Sequence, residues 1–446
     1  MLFSRKALTL ALISVFLISL LLVVSIHSLK AADETLEIEW HHFLPGISGE
    51  GVVQTPEGGY LVLGTNASVE GVYPIYMDYE SILVGTDASA NILSTKIYLF
   101  EDPSPELSSI IETSDGGYAL GGEMNGNALL LKINSQGEIQ WSKKFHGHYY
   151  EYNDEYVFNF GSFIQTSDGG YVFAGSYPYP GPAPPYTGML LLIKVDALGN
   201  LQWNRTFASY SGFRPSSIMQ TEDDEYVVIG TSSSHSPISP SFFAIMKTDS
   251  DGSVEWYKTY GGEDDYFRTA CNEGIGTDDG GFLLAGSAAR YGSDSSGEHG
   301  WFVKVDAKGD MLWNKTVESQ ASQIVSVQVN KNEFVFAGTI TTYVVWIGKL
   351  DDSGNWGDEI MIRTGDPYGN ISPNSIIIES NGSYVFVGKW DITSSVGNSR
   401  MWLVKISPSQ TPKTAELFSE SWVLVAIVII VILFALGLLI YLIKRK

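Results

Sequence analysis

The chain has 446 residues, 44% of them hydrophobic, with 50 Asp and Glu set against 27 Lys and Arg. The resulting net charge of −23 makes nucleic acid and anionic lipid headgroups poor partners, because the long-range field repels both. One cysteine, Cys271, excludes an intrachain disulfide and, in an exported chain, argues for a prokaryotic surface rather than a disulfide-rich secretory route.

In chain order, Arg5 and Lys6 precede an apolar run from Ala7 to Ile26, and Leu29-Lys30-Ala31-Ala32 supplies small residues beyond it. Residues 1–32 therefore read as a signal peptide or an uncleaved signal anchor. Every acid lies between Asp33 and Glu420. Six cations (Arg5, Lys6, Lys30, Lys444, Arg445, Lys446) sit in the end segments, so 21 cations remain against 50 acids and the central part carries −29.

That central part repeats. The turn-plus-strand phrase Glu57-Gly58-Gly59-Tyr60 returns as Asp115-Gly116-Gly117-Tyr118 and Asp168-Gly169-Gly170-Tyr171, and again around Tyr226, Phe282, Phe334 and Tyr384. Successive anchors stand 58, 53, 55, 56, 52 and 50 residues apart. A period near fifty that contains only short strands predicts propeller blades and not helical solenoid units.

Residues 162–207 show one repeat in full. Ser162–Thr166 alternates into a strand, and Asp168-Gly169-Gly170 turns with positive φ. Tyr171–Gly175 and Met189–Asp196 are apolar strands, and Asn200–Phe207 is a fourth strand bearing Trp203. The second turn recurs as Asx-x-x-Gly with Trp four residues later: Asn134/Gly137/Trp141, Asp196/Gly199/Trp203, Asp249/Gly252/Trp256 and Asp306/Gly309/Trp313. Asx bonds its own backbone two residues on, Gly takes the left-handed position, and the Trp packs between neighbouring blades.

The ends of the repeat predict how the ring closes. Glu37–Phe43, with Trp40, matches the fourth-strand phrase Glu138–Phe145, yet no inner strands precede it. The last repeat stops after its third strand, Arg400–Ile406. The orphan strand completes the orphan blade. The fold expected is all-β: a seven-bladed propeller of four-stranded antiparallel blades over residues 33–407, closed by the N-terminal strand. A linker over 408–421, a transmembrane helix over 422–443 and a cytoplasmic basic tail over 444–446 follow. The C-terminal prediction rests on 22 apolar residues between Trp422 and Ile443. Localisation is then a single-pass cell membrane protein with the propeller outside.

With the first strand of each blade innermost, the Gly-Gly and Asx-x-x-Gly turns fall on one rim and all variable loops on the other. The variable loops hold the candidate binding face: Tyr76 in 65–80; His148, Tyr149, Tyr150 and Asp154 in 146–160; Tyr177 and Tyr179 in 176–188; and Glu263, Asp264, Asp265 and Tyr266 in 261–268. Tyr beside Asp, Glu and Asn is the side-chain set that stacks on and hydrogen-bonds sugars or peptides. The bland reading, that these rings fold back on the blade tops, stands beside it.

Chemistry beyond binding is sparsely signalled. Glu263-Asp264-Asp265 and Asp249-Ser250-Asp251 are acidic enough for Ca²⁺ but lack the spacing of a calcium loop, so no cofactor or metal is expected. His41 with His42, and His146 with His148, find no third ligand by order alone, and no Gly-x-Ser-x-Gly elbow occurs. No catalytic residue is assigned. Asn66, Asn204, Asn314, Asn370 and Asn381 head Asn-x-Ser/Thr sequons, candidates for N-glycosylation.

The phrase Gln165–Gly175 followed by Lys194-Val195-Asp196-x-x-Gly199-x-x-x-Trp203 resembles the repeats of seven-bladed surface propellers of bacteria and archaea. The resemblance covers nearly the whole central region and implies architecture, not activity. A second likeness, to quinoprotein propellers with Asp-x-x-Thr-Gly-x-x-x-Trp, stops at the Thr, which is Gln136, Leu198, Asp251 or Lys308 here, so a quinone is not expected. The leading expectation is a surface binding module for a glycan, peptide or partner protein. A surface hydrolase using paired carboxylates and a passive envelope component are the alternatives.

Overall fold

The computed structural model describes residues 36–70, 76–100, 105–145, 158–178, 188–207, 212–233, 240–261, 266–290, 298–317, 322–331, 333–340, 344–363, 370–391 and 399–408. The signal and C-terminal segments expected from the sequence lie outside the described residues. Among the described residues no helix is long and apolar enough to cross a membrane.

Seven sheets of four antiparallel strands form from residues 37–407, which make one compact unit. Blades 1 to 6 each use four consecutive strands, as in blade 3: Asn159–Gln165, Tyr171–Pro178, Gly188–Val195 and Leu201–Phe207. Blade 7 takes Ile371–Ile378, Tyr384–Asp391 and Ser399–Pro408 from the end of the repeat and its fourth strand, Leu36–Leu44, from the beginning. The predicted clasp is therefore the observed closure. The second and third strands are buried on both faces, which is why they read as continuous apolar runs; every residue of Gly188–Val195 is buried.

Each inner strand carries a β-bulge at the same place, at Glu50, Ser108, Gly161, Ser216, Asn272, Val325 and Asn374. The extra residue increases local twist. Two bulge residues also bond to the next inner strand: Asn272 Nδ2 donates to Ile324 O at 2.7 Å and Asn374 Nδ2 to Gly49 O at 2.8 Å.

Blades dock through the Trp. Ring centroids lie 5.8 Å apart for Trp40–Tyr60, 5.9 Å for Trp141–Tyr171, 5.9 Å for Trp203–Tyr226 and 6.5 Å for Trp313–Phe334, each pair joining one blade's outer strand to the next blade's second strand. The Lys at the end of the third strand is part of the same device, since Lys132, Lys194, Lys247 and Lys304 stand directly across from Trp141, Trp203, Trp256 and Trp313. Its ammonium is enclosed and paired: Lys132 with Asp115 (3.0 Å), Lys194 with Asp168 (2.8 Å) and Lys304 with Asp279 (2.7 Å). Where Glu225 and Glu333 replace the second turn glycine, they take over the pairing to Lys247 and Lys349; in blade 7 Glu379 pairs with Lys405 at 3.0 Å. Blade 1 alone has neither partner. Gly85 stands across from Ser94 at the Lys and Trp positions.

Candidate functional site

The two rims differ in build. On the first, Thr166 Oγ1 and the Gly170 amide donate to Asp168 Oδ1, and Gly169 N donates to Thr166 O at 2.8 Å. Gly169 has φ +80°, and a Cβ on Gly170 would stand 2.3 Å from Val195 O, so the two glycines serve different needs. Neighbouring turns are stitched together: Ser114 N donates to Gln165 Oε1 and Ser167 N to Gln220 Oε1, both at 2.8 Å. Against the upward push of burial, bonds from Lys194, Thr166 and Gly170 hold the Asp168 carboxyl at about 2, and Asp279 is held alike through Lys304, Thr277 and Gly281. These perturbed carboxyls are scaffold. The Asx turns are equally closed: Asp249 Oδ1 accepts from Asp251 N and Ser253 N, so the 249–251 pair of acids belongs to a hairpin.

The second rim is irregular. In blade 1 residues 65–70 and 76–80 form a β-arm in place of the expected loop: strands Tyr60–Glu70 and Tyr76–Thr86 stay paired out to Glu70 and Tyr76. Blade 5 extends likewise, with Phe282–Arg290 pairing Glu298–Val305 through Ala289 and Glu298. Blade 2 does the reverse and closes on a two-residue Asn125-Gly126 turn with φ of 54° and 67°, the I′ geometry that tight hairpins favour. This corner of blade 2 is therefore a notch relative to the arms of blades 1 and 5.

In that notch Glu106 and Glu123 stand directly opposite each other on the first two strands. Burial first, then the Glu106 charge, raises the Glu123 carboxyl above the usual range, partly offset by the Phe160 amide. Glu123 Oε2 is enclosed with no hydrogen bond. Between blades 5 and 6, Glu298 accepts from Ser287 Oγ at 2.5 Å and from Gln323 Nε2 at 2.9 Å.

Of the residues expected on this face, Tyr76 and Tyr266 lie on strands, Tyr266 opening the inner strand of blade 5. Tyr177 is 8% exposed and packs on Phe158 at a centroid distance of 5.2 Å, so it is a wall of the blade and not a presented ring. The sequence signal misled because Ser176 and Tyr177 are both buried, where a half-exposed strand would alternate. His148, Tyr149, Tyr150, Asp154, Tyr179, Glu263, Asp264 and Asp265 lie outside the described residues. Among the described residues no group of three or more His, Cys, Asp or Glu is placed to hold a metal. Cys271 is buried, and burial pushes its thiol up to about 12, away from nucleophilic use. Of the sequon asparagines, Asn204, Asn314, Asn370 and Asn381 are exposed, whereas Asn66 is half-buried and donates to Glu80 at 3.1 Å. Sequence reasoning missed Glu106 and Glu123, whose spacing of 17 residues carries no motif.

No protein-family model matches the chain, and no curated protein matches it. Solved structures share its path at low identity. A catalytically inactive virginiamycin B lyase from Staphylococcus aureus with quinupristin is 10% identical over 83% of this chain and 99% of that one, with a TM-score of 0.49. A protein of unknown function from Dyadobacter fermentans is 9% identical over 84% and 100%, at 0.47. Drosophila Plexin A in complex with Semaphorin 1b is 8% identical over 84% and 88%, at 0.45. Such likenesses concern fold and say nothing about activity.

Proposed function

We propose that this protein is a membrane-anchored cell-surface propeller whose irregular rim binds a glycan, a peptide or a partner protein. The observation that supports the reading is the asymmetry of the rims. One is shut by stitched turns; the other carries arms, a notch and all the long connections. Binding residues gather on connections held by a rigid scaffold. In this reading residues 1–32 direct export, 422–443 span the bilayer and 408–421 tether the ring. Ser407, at the end of the last strand, donates to Glu39 at 2.5 Å on the closed rim, and the reading takes the irregular rim as the outward one. The Tyr149–Tyr150 segment and the acids at 263–265 are the contact residues proposed. Arrays of glycans and peptides probed with residues 33–415 test this. Binding that is lost on Tyr149→Ala with Tyr150→Ala is expected; no binding on any array would sink it.

The Glu106–Glu123 pair favours a second reading, a surface hydrolase acting in the notch of blade 2. A carboxyl pushed above its usual range by burial, facing a second carboxyl, is the arrangement general acid catalysis draws on. Hydrolysis of surface glycans that survives Glu123→Gln unchanged would exclude it.

A further inference from the structure

The outer strands of a propeller are edges, and such edges are kept apart by charge. Blades 2 and 3 set polar side chains on theirs, one of them charged: the outward-facing positions of their outer strands are Gln140, Ser142, Lys144 and Gln202, Asn204, Thr206. Blade 1 does not. On its outer strand, Ile92–Tyr98, the Tyr98 hydroxyl donates to Gly137 O at 3.0 Å and the Lys96 stem lies 3.2 Å from where a Gly137 Cβ would stand, so that face is turned to blade 2. The opposite face presents Leu93 at 72% exposure, Thr95, Ile97 at 44% and, just beyond the strand, Leu99 at 66%. This is also the blade with neither the Lys nor the Trp, Gly85 and Ser94 standing at their positions.

We propose that this strand pairs, antiparallel and edge to edge, with the same strand of a second copy of the chain. The strand is self-complementary. A two-fold axis at Thr95 sets Leu93 beside the partner's Ile97 on the outward face, and Ser94 beside the partner's Lys96 on the other, with no like charges opposite. No acid occurs between Asp87 and Glu101, in a central region that carries −29 as a whole. Lys96 is drawn aside over Gly137, which leaves the backbone edge clear. The two like-charged rings repel at a distance, yet at physiological salt this repulsion is screened beyond about 8 Å. Association therefore tightens as salt rises, the reverse of a charge-driven interface.

The ring is a compact unit by itself, so residues 33–415 serve for the test. Sedimentation velocity should show a dimer that dissociates at low salt, and Leu93→Glu should abolish it while leaving circular dichroism unchanged. Thr95→Cys should form a disulfide-linked dimer under mild oxidation, the native Cys271 being buried, whereas Ser142→Cys on blade 2 should not. A ring that stays monomeric at every salt concentration, or a Thr95→Cys variant that cross-links no faster than Ser142→Cys, overturns the proposal. So does hydrogen exchange in which the full chain, but not the ring alone, protects residues 93–99, since that assigns the stripe to a terminal segment of the same chain.

Discussion

The ring of Trp141 lies 2.9 Å from where a Cβ on Gly199 would stand, one blade along. The same relation holds between Trp203 and Gly252 at 3.1 Å and between Trp256 and Gly309 at 2.9 Å, and each Trp is helped by a cationic stem two residues later, such as Lys143, Arg205 or Lys258. The turn glycine is therefore fixed twice, by its positive φ and by the neighbouring indole. Gly199→Ala should cost on the order of 1–2 kcal/mol for the left-handed backbone alone, and more for the displaced Trp141. Urea unfolding of the ring measures it. A loss no larger than that of Gly58→Ala, where a Cβ meets nothing within 4 Å, would show that the indole contact adds nothing.

Much of this was legible in the sequence, because turns and closure are local or repeat-based. The Asx-x-x-Gly corners need a left-handed residue at fixed spacing, and the Trp40 phrase has only one blade to join. The Lys–acid pairs were not legible. Their acid moves from Asp168 in the turn to Glu225 at the second glycine position and to Glu379 before the turn, so no constant spacing marks it. Ala90 hid a further corner: with φ 60° it occupies the position that Gly holds in the next five blades. The notch at blade 2 was written as Asn125-Gly126, a strong hairpin signal, but the carboxylates beside it meet only through strand pairing.

The Lys304–Asp279 pair is asymmetric, and so should be its variants. The Lys304 side chain is 1% exposed and that of Asp279 44%. Removing the acid leaves a buried ammonium with only the longer 3.9 Å contact to Asp352; removing the Lys leaves a carboxylate that water can reach. Asp279→Asn should therefore cost about 3 kcal/mol, and Lys304→Met less than about 1 kcal/mol. Equal losses in chemical denaturation would contradict the pairing account.

Acid stability follows from the same acids. Bonds from Thr113 and Lys132, acting against burial, hold Asp115 at about 2, as Asp168 and Asp279 are also held. Folded values below the ordinary one stabilise the ring above that value, and this contribution is lost as pH falls from about 4 toward 2. The midpoint of acid unfolding should move up in the Asp168→Asn, Asp279→Asn double variant. An unchanged midpoint would show that these carboxyls titrate normally.

Glu273 runs the other way, and at higher pH. It sits in the inner strand of blade 5, Tyr266–Gly276, where its Oε2 accepts from Val327 N of blade 6 at 2.6 Å. It keeps part of its surface accessible, yet burial pushes its carboxyl up to about 7, against bonds from Ser326 and Val327. A carboxyl raised in the folded state binds its proton more tightly there than in the unfolded chain. Its contribution is therefore full below about 4.5 and falls as pH rises to 7. Glu273→Gln keeps an acceptor for Val327 and removes the titration. The variant should melt higher than the parent at pH 8 and gain nothing at pH 4; an equal gain at both would place the effect in packing.

The last prediction concerns the clasp. Leu36–Leu44 supplies the fourth strand of blade 7, and Trp40 crosses the seam to Tyr60 of blade 1. The seam is further tied by Glu379, which accepts from Gln54 Nε2 at 3.1 Å and from the Tyr60 hydroxyl while pairing with Lys405. With no disulfide to hold it, closure rests on one strand. A chain that starts after Leu44 exposes the edge of Ser399–Pro408 along its length, and an open edge recruits other strands. Light scattering should show this truncated ring associating into large species. A peptide of residues 36–45 added during refolding should close the blade and remove the large species, and the same peptide with Trp40→Ala should do so poorly, because the strand would bond to its sheet but lose its hold on blade 1. Full rescue by the Ala peptide would mean that backbone pairing alone closes the ring.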